Sequence, residues 1–401
     1  MASIRRVPVR PFAFVTALVL GAAATAQTLT GADVLAAEGC ERLRGRKVGL
    51  ITNHTGRLRD GRRTADLLHR AEGVTLVALF APEHGQAGRL DEPVADATDA
   101  ATGLPVFSLY GTTRTPTAAM LEGIDTLVFD VQDVGCRFYT YLSTMRNALE
   151  AAAAHELRFV VLDRPNPLGG VVMAGPVAPA DRLDFTAAHR VPLRHGLTAG
   201  ELARMIQGED GVRVDLDVVR CEGWQRADLW PDTGLYWIAP SPNLRSVTEA
   251  LLYPGIGLLE GTNLSVGRGT DRPFERLGAP WCDGRALAAA LRAQELPGVT
   301  FVPVRFTPDA SRFAGEVCDG IDVAITDWRT FEPVRTGVAI AVALHRLFAD
   351  AWDTERLDWL WKHPPSVSAL RDGADAETIV AGWQRELDLY RMRRRPFLLY
   401  E

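Results

Sequence analysis

Short apolar runs alternate with amphipathic stretches through the first half of the chain. Lys47 to Asn53, Val74 to Phe80, Pro105 to Tyr110, Thr126 to Val131 and Arg158 to Leu162 are rich in Val, Leu, Ile and Phe. Runs of this length and composition predict strands. Thr64 to Ala71 and Phe138 to Leu157 predict helices between them. Continuously apolar strands separated by helices predict an α/β fold, a parallel sheet covered on both faces.

Polar residues gather where these strands end. Asn53-His54, Glu83-His84, Asp130 to Asp133, and Asp163-Arg164-Pro165-Asn166 each follow an apolar run. In open α/β sheets, ligands bind outside the carboxyl ends of the strands. Asn53, His54, Glu83, His84 and Asp133 are therefore candidate site residues. Leu79-Phe80-Ala81-Pro82-Glu83-His84-Gly85 is the sharpest case, because an apolar strand runs directly into a carboxylic acid and an imidazole. A carboxyl group beside apolar neighbours can be raised until it works as a general acid.

The pattern changes after Pro240-Ser241-Pro242-Asn243, where prolines break any regular element. Beyond it, Leu258 to Asn263, Thr300 to Phe306 and Ile321 to Thr326 predict strands. Arg285 to Gln294, Val334 to Phe348 and most of Thr354 to Tyr390 predict helices. This divides the chain into a first domain over 27–245 and a second over 246–401. All nine tryptophans lie after residue 220, and most are expected in the core. The arginine cluster at 391–395 is expected to complement a helix C-terminus.

Residues 1–26 stand apart. Arg5, Arg6 and Arg10 precede an apolar run that ends in Ala24-Thr25-Ala26. That is the pattern of a secretory signal peptide, and no Cys follows to carry a lipid anchor. The expectation is an exported chain, periplasmic or secreted, without a membrane anchor. The formal charge of −6 includes those three arginines, so the remainder carries −9, which argues against nucleic acid as a partner. Five cysteines without a C-x-x-C leave at least one thiol unpaired.

Several known motifs fail on inspection. Gly255-Ile256-Gly257-Leu258-Leu259-Glu260-Gly261 places its third glycine too late for a dinucleotide loop. Asn263 stands where a nucleophile elbow needs glycine before Leu264-Ser265-Val266-Gly267. The histidines show no ligand spacing, so neither a cofactor nor a metal is expected. Two glycine-rich polar segments remain, 130–141 and 260–271. They hold acids, hydroxyls, amides and arginines in a mixture that suits a sugar better than a phosphate. Glycoside hydrolysis uses an acid with a second carboxylate or a substrate group. Glu83 and Glu260 are the candidate pair.

These segments together resemble the exo-β-N-acetylmuramidases of the NamZ type, a family long catalogued as a domain of unknown function. The blocks that carry the resemblance are GLITNHTG (49–56), LFAPEHG (79–85), TGLPVFSLYG (102–111), FDVQDVGCRFYTYLSTM (129–145), LDRPNPLGG (162–170), LRHGLTAGELARM (193–205), PSPNL (240–244), LLYPGIGLLEGTNLSVGRGTDRPFERLGAPW (251–281) and RPFLLY (395–400). The resemblance implies a Rossmann-like domain followed by a smaller α/β domain, with the active site in the cleft between. It implies release of terminal N-acetylmuramic acid from peptidoglycan fragments, with Glu83 as the favoured catalytic residue. One departure is Ala174, where the family often has an acid before Gly-Pro.

On this basis Glu83 and Glu260 are expected to be catalytic. Asn53, His54, His84, Asp133, Tyr139 and Asn166 are expected to bind substrate from the sheet edge, and Asn263, Ser265, Arg268 and Thr270 from the second region. Muramic acid carries a lactyl carboxylate, which calls for an arginine. Arg268 is the first candidate, then Arg137, then Arg164. An exported solute-binding protein for wall sugars and a carbohydrate esterase remain as alternatives.

Overall fold

A computed structural model describes residues 27–88 and 95–401; the signal peptide expected over 1–26 lies outside the described residues. Seven strands form the main sheet: β1 (Lys47–Thr52), β2 (Thr75–Ala81), β3 (Ala97–Thr98), β4 (Pro105–Ser108), β5 (Thr126–Asp130), β6 (Arg158–Leu162) and β7 (Asp215–Val219). Their order is β3-β4-β2-β1-β5-β6-β7. All neighbours are parallel except the short edge strand β3, which runs antiparallel to β4. The predicted strands recur within two residues at each end.

Neighbouring residues of a strand point to opposite faces, and here they divide two cores. Leu50, Leu79, Val128 and Val160 pack under helices Gly31–Ala37 and Thr64–Arg70. Ile51, Phe80, Phe129 and Val161 pack against helices Tyr141–Ala154 and Ala199–Asp210. The second core does not stop at the sheet. It continues through Leu251, Phe274 and Ile340, so the second region packs onto this face as one apolar body.

That region contains an antiparallel sheet, β8 (Arg276–Ala279), β9 (Val299–Phe306) and β10 (Cys318–Ile325), in the order β8-β10-β9. Helices Gly284–Arg292 and Pro333–Phe348 match the predicted ones closely. Leu258 to Asn263 is not a strand. Helix Val247–Ile256 runs into a 3-10 turn, Gly257–Leu259, followed by irregular turns. The glycines there serve packing. A Cβ on Gly255 would stand 1.9 Å from the carbonyl of Pro333, and one on Gly337 would stand 2.3 Å from the carbonyl of Gly255. The two helices cross with their backbones in contact, and only glycine permits it.

The C-terminus returns to the first sheet. The Tyr400 hydroxyl donates to Asp163 Oδ2 at 2.6 Å, and the Leu399 amide donates to Glu201 Oε1 at 2.9 Å. Within the arginine cluster, Arg394 is buried and donates to the carbonyls of Gly170 and Gly196, while Arg393 pairs with Glu209 at 2.6 Å. These arginines thus bind distant segments as well as ending a helix. All five cysteines are buried and free.

Candidate active site

Glu83 follows β2 by two residues. The turn that presents it is tight: the Gly85 amide donates to the Pro82 carbonyl at 3.0 Å, with His84 and Gly85 both left-handed (φ 69° and 71°). A non-glycine residue at positive φ is uncommon and marks a conformation that its surroundings enforce. The His84 ring stands edge-on to Tyr141, with centroids 6.4 Å apart. The Thr140 hydroxyl, directly before helix Tyr141–Ala154, donates to Glu83 Oε2.

Glu260 comes from the other side, after the 3-10 turn. Arg268 Nε donates to its Oε1 at 2.6 Å, and the Arg268 guanidinium lies 5.5 Å from the centroid of Phe274. Glu83 and Glu260 line one cavity of about 440 Å³. Its floor is aromatic. Tyr253 meets Phe138, Phe274 and Tyr139 edge-to-face at 4.9, 4.8 and 6.0 Å, and Tyr139 meets Tyr141 at 4.7 Å. Such pairs are a favoured packing of aromatic quadrupoles. Burial pushes the Tyr139, Tyr141 and Tyr253 phenols up, so they stay neutral.

Of the residues expected from sequence, Glu83, His84, Tyr139, Glu260 and Arg268 line this cavity. Ser265 lines an adjoining one of about 380 Å³, which shares Glu260 and Arg268. The others do not line the cleft. Asn53 accepts from the Thr55 amide and hydroxyl (2.9 and 2.6 Å) and donates to the Tyr141 hydroxyl (3.0 Å). His54 Nε2 contacts the Ala239 carbonyl at 2.6 Å. Asp133 accepts from the Gly135 amide at 2.6 Å. Asn166 joins the Leu197 carbonyl to the Leu168 amide, both at 2.9 Å. Asn263 joins the Ala351 carbonyl to the Asp353 amide, both at 2.8 Å. Thr270 closes its own turn onto the Gly267 carbonyl at 2.7 Å.

Two of the three candidate arginines are likewise internal. Arg137 is 2% exposed and donates to the carbonyls of Pro176, Val191, Leu360 and Trp361. Burial pushes it down to about 10. Arg164 donates to the Arg57 carbonyl at 3.0 Å and pairs with fully buried Asp130 at 2.6 Å. The physical reason is common to all of these. Strand-end loops that run inside a protein carry backbone groups that must be satisfied, and short polar or arginine side chains satisfy them.

The cavity also holds residues that the sequence did not single out. Thr140 sits within a noted block but was assigned no role. Tyr110 and Arg114 follow β4, a strand end with no acid or histidine beside it, and Phe185, Asp184 and Trp359 join them. The Asp184 carboxylate binds Lys362 Nζ at 2.5 Å, which holds it below the usual range against the opposing effect of burial. Among the described residues, no group of three or more His, Cys, Asp or Glu side chains could hold a metal ion. No helix there is long and apolar enough to cross a membrane.

With the geometry in view, similarity to known proteins is informative. Residues 48–248 match the family described as exo-beta-N-acetylmuramidase NamZ, N-terminal, and residues 251–400 match its C-terminal counterpart. The chain belongs to the NamZ family. The peptidoglycan beta-N-acetylmuramidase NamZ of Bacillus subtilis (strain 168) is 39% identical over 376 residues, spanning 92% of this chain and 91% of that protein. Two crystal structures of DUF1343 family proteins from Bacteroides fragilis NCTC 9343 superpose with TM-scores of 0.87 and 0.77, at 37% and 27% identity. Each covers 94% of this chain and 99% of its own. This member is thus a glycoside hydrolase of Rossmann-like α/β architecture. Its cleft draws on both matched regions, with Glu83 and Thr140 from the first and Glu260, Arg268 and Trp359 from the second.

Proposed function

We propose that this cleft removes terminal N-acetylmuramic acid from the non-reducing ends of peptidoglycan fragments, with Glu83 as proton donor to the departing sugar. One observation carries the assignment to Glu83. Among the described residues, three carboxylates line the cavity. Asp184 is bound by Lys362 and Glu260 by Arg268. Among the described residues, Glu83 has the Thr140 hydroxyl as its partner and no cation within ion-pair distance. A general acid must be able to reach the leaving oxygen, and of the three carboxyls Glu83 is the one that no described cation holds.

Glu260, held by Arg268, supplies fixed negative charge where positive charge develops on the sugar ring. Trp359, 42% exposed at the rim, offers a face to the sugar. The natural setting is cell-wall turnover and recycling. The leader further supports export to the periplasm or medium, with the mature chain starting at Gln27.

The test is incubation with a chromogenic N-acetylmuramide, and with glycan fragments ending in either muramic acid or glucosamine. Free N-acetylmuramic acid should appear only from fragments that carry it at the end. Binding without cleavage would point to a solute-binding protein. Loss of an acyl group with the glycosidic bond intact would point to an esterase.

A further inference from the structure

Arg268 is already engaged by Glu260, and Arg137 and Arg164 are buried elsewhere. The cleft nevertheless has a second guanidinium. Arg114 lines the cavity and lies 4.1 Å from the Phe185 ring centroid and 5.4 Å from that of Tyr110. The two rings are 6.1 Å apart and inclined by 31°. Among the described residues, no carboxylate lies within ion-pair distance of Arg114. The nearest acid on this wall in sequence, Asp184, is taken up by Lys362.

We propose that Arg114, mounted on Tyr110 and Phe185, is the carboxylate-binding group that selects an anionic N-acetyl sugar. This rests on the hydrolase function proposed above and names what reads its substrate. A guanidinium stacked on aromatic faces keeps its in-plane N–H edge available, and that edge matches a carboxylate two bonds at a time. The wall is also pinned in place. Asn147 donates to the Arg114 carbonyl at 2.9 Å, and Ser143 donates to the Phe185 carbonyl at 2.7 Å. Both donors sit on the helix that begins beside Thr140, the residue bonded to Glu83. The Leu109 amide donates to the Ala81 carbonyl at 2.8 Å, which ties the same loop to the strand that presents Glu83. The carboxylate reader and the proton donor therefore share one rigid support. Precise placement of a remote binding group relative to the reacting bond is what converts binding into rate.

The experiment measures kcat/KM for a matched pair, an aryl N-acetylmuramide and the corresponding N-acetylglucosaminide, and for the muramide methyl ester, whose lactyl carboxylate is masked. The enzymes are wild type, Arg114→Met, Arg114→Lys and Arg268→Met. Wild type should prefer the free muramide. Arg114→Met should lower that preference in kcat/KM by about 10- to 100-fold, given the usual strength of a charge-assisted bond. Its rates on the glucosaminide and the methyl ester should stay near wild type, which also shows that the variant is folded. Arg114→Lys should retain part of the preference. An Arg114→Met enzyme that keeps the full preference, or that loses all substrates equally, would overturn the inference while leaving the muramidase function intact. Wild type without any preference for the muramide would instead remove the function on which the inference rests.

Discussion

Glu83→Gln isolates the proton. Gln keeps the shape of the side chain, and its amide oxygen can still accept the Thr140 hydroxyl. The loop is set by backbone, through the Gly85–Pro82 bond and the left-handed pair at His84 and Gly85, so the fold should survive. What disappears is general acid catalysis, typically worth about 10²–10⁴-fold, or about 3–5 kcal/mol at 1.36 kcal/mol per tenfold. That loss should appear in full on a natural disaccharide, whose leaving alkoxide must be protonated. It should shrink steadily along a series of aryl N-acetylmuramides with increasingly acidic phenols. Thr140→Val should cost less than Glu83→Gln, because it removes the orienting bond and leaves the acid. Disaccharide turnover within tenfold of wild type, or an equal loss for every leaving group, would refute Glu83 as the donor.

Three further outcomes follow from named contacts. Arg137→Met should leave the buried carbonyls of Pro176, Leu360 and Trp361 short of a donor, while Val191 keeps the Ala178 amide, and destabilise the fold by about 3 kcal/mol or more, at about 1–3 kcal/mol per orphaned group; urea midpoints check this, and the sugar preference of the remaining folded enzyme should be unchanged. Burial pushes the Asp163 carboxyl up to about 6 from 3.8, so between roughly pH 4 and 6 the folded chain keeps a proton that the unfolded chain has released, and stability falls as pH rises through that window. The shift corresponds to about 3 kcal/mol; Asp163→Asn should flatten this part of the stability–pH curve whatever its effect on absolute stability, and an unchanged slope would contradict it. Activity should survive exhaustive chelation and dialysis, and loss restored by one specific ion would show that metal chemistry had been overlooked.

The legibility of the site varied with what each residue does. Glu83 and His84 were visible because an apolar strand stops at them, and Glu260 and Arg268 because they belong to a segment dense in groups that bind sugars. Arg137, Arg164 and Asp133 carried the same local signature and turned out to satisfy buried backbone. A charged residue after a strand looks alike whether it turns outward to a ligand or inward to a carbonyl, since both need the same donors. Arg114 gave the weaker signal, lying several residues past its strand among threonines and glycines. Its significance depends on Phe185, far away in sequence.

Five of the seven strands of the main sheet could be predicted from the chain alone because strand identity rests on local apolar runs, and a parallel sheet buried on both faces leaves those runs uninterrupted; the edge strands β3 and β7, short or half-exposed, carry no such run. The polar strand ends followed from the same pattern. Tertiary structure decided the rest. It gave Gly255 its role, a helix crossing in contact with Pro333 and Gly337. It brought the C-terminal Tyr400 back to Asp163. It also sorted the arginines into those that hold loops and those that face the cleft. Such outcomes depend on pairs distant in sequence, whose energies come from shared burial and satisfied polar groups, and no local pattern records which partner will arrive.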